Sequence, residues 1–226
     1  MVNETELKQR FKSAAFIASS PTVAQCPPDG GFEVAFAGRS NAGKSSAINA
    51  LTDQGDLARV SKTPGRTQHL VFFDLSQNRR LVDLPGYGYA KVPEAIRTAW
   101  RGVIDEYLRE RVALQGLVLV MDIRLPFTDF DQQMLAWTKA RGLATLVLLT
   151  KSDKLKRGPA LDVLRKVKKE LPNHARNATV ELFSAETKTG VQIARWKLAE
   201  WYNWATPKPV VGSTAQENKG IADGYR

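Results

Sequence analysis

Six apolar runs, rich in β-branched residues and separated mostly by helix-like stretches, most narrow what this chain can fold into. They are "FEVAFAG" from Phe32, "LVFFDL" from Leu70, "RLVDLPG" from Arg80, "GLVLVMDI" from Gly116, "ATLVLLTKSD" from Ala144 and "VELFSA" from Val180. Runs that are apolar throughout, rather than alternating, belong to strands covered on both faces, and intervening helices supply the cover. The pattern predicts an α/β fold with a mostly parallel six-stranded sheet and helices on both faces. The second and third runs are joined only by "SQNRR", too short for a crossover helix, so those two strands are expected to pair antiparallel and the sheet to be mixed. Helices are expected over Lys44–Thr52, Pro93–Leu114, Asp129–Arg141, Pro159–Leu171 and Val191–Trp204, two of them opened by a proline that suits a first helical turn.

A chain of 226 residues with 43% hydrophobic content supports one good-sized core. The division expected is an N-terminal extension over 1–30 packing on or near the main domain, the main domain over 31–205, and a disordered tail over 206–226, where "TPKPVVGSTAQENKG" shows no apolar period. The lone cysteine, Cys26, excludes an internal disulfide. No signal peptide, prenylation cysteine or apolar run of membrane-spanning length is present, so a cytoplasmic protein without a membrane partner is expected. The net charge of +10 favours a polyanionic partner. Between Lys151 and Leu171 stand eight Lys/Arg against three Asp/Glu, so half of the excess sits there, either as an RNA surface or as a solvated helix face.

"GRSNAGKS", Gly38 to Ser45, fits G-x-x-x-x-G-K-[ST] between a strand and a helix, the context that pattern requires. Glycines let the backbone of Gly38, Arg39, Ser40, Asn41, Ala42 and Gly43 wrap phosphate oxygens, and the helix beginning at Lys44, Ser45 and Ser46 offers its positive end. Lys44 reaches the β and γ phosphates, and the Ser45 hydroxyl is a magnesium ligand. "DLPG", Asp83, Leu84, Pro85 and Gly86, ends the third run, where Asp83 can hold magnesium through water and Gly86 can bring its N–H to a γ-phosphate.

"TKSD", Thr150, Lys151, Ser152 and Asp153, selects the base. Guanine presents N1–H and its 2-amino group side by side, and one carboxylate, Asp153, accepts both, whereas adenine has no such donor pair. Lys151 can lay its stem along the ring. "FSA", Phe183, Ser184 and Ala185, completes the pocket, with the Ala185 N–H toward the guanine O6. In "SKTPGRTQ" the loop residues Gly65, Arg66, Thr67 and Gln68 are expected near the phosphates. Thr67 is preferred to Thr63 as a magnesium ligand present only with a γ-phosphate, the alternative being a flexible basic loop. The phosphate loop, Asp83, Asp153 and Ala185 all fall at carboxyl ends of predicted strands, where open α/β sheets bind ligands.

Taken in order, "GRSNAGKSS", "SKTPGRTQ", "VDLPGYGYA", "LLTKSDK" and "FSA" resemble the GTPases of the translation-factor-related class, and among them the bacterial EngB (YihA/YsxC) ribosome-biogenesis GTPases. The resemblance covers roughly 33–204. It implies a P-loop, Ras-like G domain and a monomer that binds GTP and GDP. It also implies magnesium-dependent hydrolysis and action on the large ribosomal subunit or its RNA, with a link to cell division and septation. An alternative is a nucleotide-gated scaffold at the division machinery, with incidental hydrolysis. Lys44, Asn41 and Thr67 carry the catalytic expectations. Tyr87 stands where Ras-like enzymes keep a water-orienting glutamine, so intrinsic hydrolysis is expected to be slow. Asn41 matches an asparagine that in related GTPases helps bind potassium, the plainer reading being a residue that stabilises its own turn. His69 and His174 share no metal-ligand spacing, Tyr87 and Tyr89 read as packing beneath the loop, and Trp196, Trp201 and Trp204 as packing on the core.

Overall fold

The computed structural model describes residues 2–58, 69–86 and 94–204. Seven strands form one sheet in the order β1 (Ala15–Ser20), β3 (Leu70–Asp74), β4 (Arg79–Asp83), β2 (Phe32–Gly38), β5 (Leu114–Asp122), β6 (Ala144–Thr150), β7 (Ala178–Leu182). β2 lies at the centre, parallel to β4 and β5, and β5, β6 and β7 continue parallel. Only β3 runs against its neighbours, as the four-residue link to β4, 75–78, dictates.

α2 (Lys44–Thr52) and α4 (Asp129–Arg141) occupy the residues expected of them, and α6 ends at Trp201. α3 covers Glu94–Glu110, because Leu114 already begins β5. α5 spans Arg157–His174 and so starts two residues before Pro159, whose missing N–H is harmless anywhere in the unbonded first turn.

The seventh strand and a further helix precede the first apolar run. α1 (Glu4–Lys12) opens on a capping box, with the Asn3 Oδ1 accepting from the Glu6 N–H at 2.9 Å and the Glu6 carboxylate accepting from the Asn3 N–H at 3.1 Å. It buries only Leu7 and Phe11, one turn apart. Phe11 meets Trp204 edge-on, with ring centroids 5.5 Å apart, and Tyr202 at 6.4 Å. β1 pairs antiparallel with β3 at the sheet's edge and leaves Phe16 and Ile17 exposed.

The sheet separates two cores. Phe11, Ile48, Leu51, Leu198 and Tyr202, from α1, α2 and the region of α6, pack on one face. Tyr107, Leu108, Met134, Leu135, Val167 and Leu171, from α3, α4 and α5, pack on the other. Leu117–Met121 are buried without interruption, which is why β5 reads as a continuous apolar run. Of the tryptophans on and after α6, Trp204 is buried, and Trp196 and Trp201 pack against the core from partly buried positions. No described helix is long and apolar enough to cross a membrane.

Candidate nucleotide site

Five parallel strands end at the same edge of the sheet, and register places their last residues side by side. Phe36 pairs with Asp83, Gly38 with Val120, Asp122 with Thr150, and Leu149 with Leu182. Four of the sequence-selected segments, 38–46, 83–86, 150–153 and 183–185, therefore converge there. The fifth, Ser61–Gln68 with Gly65, Arg66, Thr67 and Gln68, lies outside the described residues, as do Tyr87 and Tyr89.

The phosphate loop is shaped by backbone geometry. A Cβ on Gly38 would stand 2.8 Å from the Val120 carbonyl oxygen, so β2 and β5 can approach there only with glycine. Gly43, at φ 101°, is the N-cap of α2 and offers no side chain to its first N–H groups. Asn41 also adopts the left-handed region, at φ 62°. Its carbonyl accepts from the Lys151 ammonium at 2.6 Å, and the Ala42 carbonyl accepts from the Thr150 hydroxyl at 2.5 Å, so β6 holds the loop from outside. The Ser40 hydroxyl is buried without a hydrogen-bond partner among the described residues.

The Lys44 ammonium is ion-paired with the Asp83 carboxylate, and both residues are buried. Ser45 follows on the first turn of α2. A serine hydroxyl and a carboxylate are hard-oxygen donors of the kind magnesium takes. Among the described residues no group of three or more His, Cys, Asp or Glu gathers for a metal. One hydroxyl and one carboxylate suit an ion that keeps several waters and takes its remaining oxygens from substrate phosphates, as magnesium does.

At the other end, Asp153 accepts from the Ser184 hydroxyl through Oδ1 at 2.6 Å and pairs through Oδ2 with Lys154 at 3.0 Å. The Ser184 bond, then the Lys154 bond, hold its carboxyl below the ordinary range, so it stands ready as a charged acceptor. Ser184 Oγ also accepts from the Thr187 N–H at 3.1 Å, and the Ser152 N–H bonds the Phe183 carbonyl at 3.1 Å, which ties the two base-side segments together. A cavity of about 320 Å³ lies between α2 and the 185–188 turn, lined by Ser46, Asn49, Ala50, Asp53, Ala185 and Lys188 among others. Ser46 and Ala185 are thus brought to one space.

Three residues absent from the sequence expectations belong to this region. Asp122, the last residue of β5, pairs with Lys151 and is itself held by Arg124 just beyond the strand. Asn49 donates to the Gly55 and Ala58 carbonyls at 2.9 and 3.0 Å and accepts from the Ala58 N–H at 2.7 Å, fixing the chain that leads into 59–68. The rule that singles out Asp83 and Asp153, a carboxylate at the end of a parallel strand, also selects Asp122.

A family model described as "50S ribosome-binding GTPase" matches residues 33–151. "Probable GTP-binding protein EngB" of Nitrosococcus oceani is 55% identical over 191 residues, covering 84% of this chain and 96% of that protein. The protein of the same name from Stenotrophomonas maltophilia is 56% identical over 192 residues, with the same coverage of each chain. Among solved structures, "a probable GTP-binding protein engB" superposes with a TM-score of 0.60 at 21% identity, covering 75% of this chain and 98% of that one. The bacterial selenocysteine-specific elongation factor EF-Sec gives a TM-score of 0.55 at 20% identity, covering 77% of this chain and 29% of that one. At such identities the structures speak to the fold, that of a P-loop GTPase. With the sequence relatives matched over nearly their whole length and the phosphate loop, Asp83 and Asp153 arrayed along one sheet edge, the chain belongs to the EngB family of GTP-binding proteins.

Proposed function

We propose that this protein binds GTP and GDP at the sheet edge described, hydrolyses GTP slowly, and serves as a nucleotide switch in assembly of the large ribosomal subunit. The observation that carries the reading is the meeting of a phosphate loop, a Lys44–Asp83 pair and an Asp153–Ser184 pair along one row of strand ends. The N–H groups from Gly43 to Ser46 receive the phosphates, and Lys44 moves from Asp83 to the β and γ oxygens. Asp153 accepts the two guanine donors, and Ser184 keeps its orientation. Ser45, Asp83 through water, and Thr67 hold magnesium, which when bound neutralises charge on the phosphates.

Tyr87 in place of a water-orienting glutamine keeps the intrinsic rate low. Asn41 takes a potassium ion. Its carbonyl faces Lys151 while its side chain makes no hydrogen bond among the described residues, which leaves that side chain for a ligand. Ser61–Gln68 and the segment after Gly86 change shape when the γ-phosphate leaves, and the GDP form departs from its partner. Residues 31–205 form the G domain, with 1–30 as an extension on it, in a cytoplasmic monomer that also serves cell division and septation.

The contact with ribosomal RNA is assigned to α5. Its exposed Lys166, Lys168 and Lys169 have no ion pair among the described residues, while its acidic Asp162 and Glu170 are engaged by Arg165 and His174. The test is co-sedimentation with purified ribosomal subunits in a non-hydrolysable GTP analogue and in GDP, at two salt concentrations. Analogue-dependent, salt-sensitive pelleting with the large subunit is expected. Absence of pelleting in both states would sink the ribosomal reading, leave the nucleotide site standing, and turn attention to protein partners of the division machinery.

A further inference from the structure

The end of β5 carries a charged cluster that the phosphate, magnesium and base contacts above do not use. Asp122 is 7% exposed at the last position of the strand. Its Oδ1 accepts from the Arg124 backbone N–H at 3.0 Å and from the Arg124 Nε at 2.9 Å. Its Oδ2 accepts from the Arg124 Nη2 at 2.6 Å and faces the Lys151 Nζ at 3.0 Å. The same Nζ donates to the Asn41 carbonyl at 2.6 Å. Lys151 is thus held at its tip between two strand ends and the phosphate loop, while its own backbone sits in the left-handed region at φ 58°.

We propose that Asp122 is a positioning residue for guanine nucleotides: with the Asn41 carbonyl it clamps the Lys151 ammonium, so that the lysine stem lies as a preformed wall against the base plane. The inference rests on the reading of 150–153 as the base-recognition segment. Its physical content is entropy and charge. A free lysine has four rotatable bonds to fix on binding, and a lysine already fixed at both ends has far less to lose. The clamp also disposes of a positive charge that would otherwise seek the phosphates from the wrong side of the loop. Arg124 completes the arrangement as the outer brace. Its side chain is 53% exposed, yet three of its N–H groups are directed at one carboxylate, which fixes both Asp122 oxygens in place.

A positioning role through Lys151 differs from a general structural role in a way a thermodynamic cycle reads. Affinities for GDP are measured by titration calorimetry or with a fluorescent GDP analogue for wild type, Asp122→Asn, Lys151→Ala and the double variant, with melting of the nucleotide-free proteins alongside. Each single variant is expected to weaken GDP by about tenfold, the worth of one charge-assisted contact, with most of the change in dissociation rate. In the Lys151→Ala background, Asp122→Asn is expected to add less than about twofold, because residues acting through one another are not additive. Should Asp122→Asn fail to fold, Asp122→Glu, which keeps the charge and shifts it by one methylene, takes its place in the cycle. Additive losses, or an unchanged affinity in the variant at 122, would overturn the inference while leaving the nucleotide site intact. Failure of the wild-type protein to bind GDP at all would instead overturn the reading on which it rests.

Discussion

Lys44 and Asp83, 39 residues apart in the chain, satisfy each other across the junction of α2 and β4. Each is also the group that a bound nucleotide would claim, one for phosphate oxygens and the other for water around magnesium. On the proposed reading, nucleotide entry is an exchange of these partners. Asp83→Asn should lower the magnesium dependence of GTP affinity by about 10–100-fold. The same change should destabilise the nucleotide-free protein by about 3 kcal/mol, since a buried ammonium loses its counter-charge. Magnesium titrations of nucleotide affinity and urea unfolding report the two effects separately.

Asp153 is oriented by Ser184 and is the only carboxylate in the base-side segments 150–153 and 183–185. In Asp153→Asn, the amide cannot accept both guanine donors but can pair with a xanthine ring. GTP affinity is expected to fall at least about a hundredfold and xanthosine triphosphate to bind in its place. Competition between the two nucleotides measures this, and retained guanine preference would reject the assignment.

Asn41 should confer a response to the monovalent cation. Hydrolysis in KCl should exceed that in NaCl at equal ionic strength, and Asn41→Ala should remove the difference while leaving GDP affinity near its starting value. Equal rates in the two salts for the wild-type protein would eliminate the role.

At the opposite end of β2, Glu33 is fully buried and accepts from Arg80 at 3.0 Å, from Arg111 at 2.7 and 2.9 Å, and from the Tyr107 hydroxyl at 2.8 Å. Burial first, then the neighbouring Glu33 charge, push the Tyr107 hydroxyl well above its ordinary value, so it stays a donor. Glu33→Gln removes the carboxylate that faces Arg80 and leaves Arg111 with Asp29 alone, at 3.5 Å, and should cost about 3–5 kcal/mol in urea unfolding. GDP affinity should be unaffected, because the cluster lies a strand's length from Gly38.

The pH dependence of stability should carry a signature of Asp122. The Arg124 side chain foremost, then its backbone N–H and Lys151, hold this carboxyl well below the usual range against the opposing effect of burial. A depressed folded-state value means the stabilisation is complete above the unfolded value of about 3.9 and is lost as pH falls below it. Unfolding curves of wild type and Asp122→Asn should therefore lie apart at pH 6 and draw together on acidification below about pH 4.

The parts of this fold that could be read from the sequence are those whose cause is local. Uninterrupted apolar runs such as 117–121 mark doubly covered strands, and a glycine-framed loop between strand and helix marks the phosphate site. β1 escaped because "AFIASS" buries only Ser20 and has no period of its own. α1 escaped because it buries two side chains, and the aromatic rings that receive Phe11 lie at the far end of the sequence. A capping box at Asn3 and Glu6 was the available signal. The convergence of 38–46, 83–86, 150–153 and 183–185 was legible from their place at the carboxyl ends of the apolar runs. The bracing by Asp122 and Asn49 depended on side-chain reach across elements, which spacing does not encode.

The docking of α1 against α6 also bears on how the chain acquires its structure. Of the described helices, synthesis delivers α1 first and α6 last, so Leu7 and Phe11 lack their final partners until nearly all of the described chain has been made. The central strands can pair earlier, but the outer layer over α2 closes only at the end. Folding is thereby weighted toward contacts of long sequence separation and should be slow relative to helical proteins of equal stability.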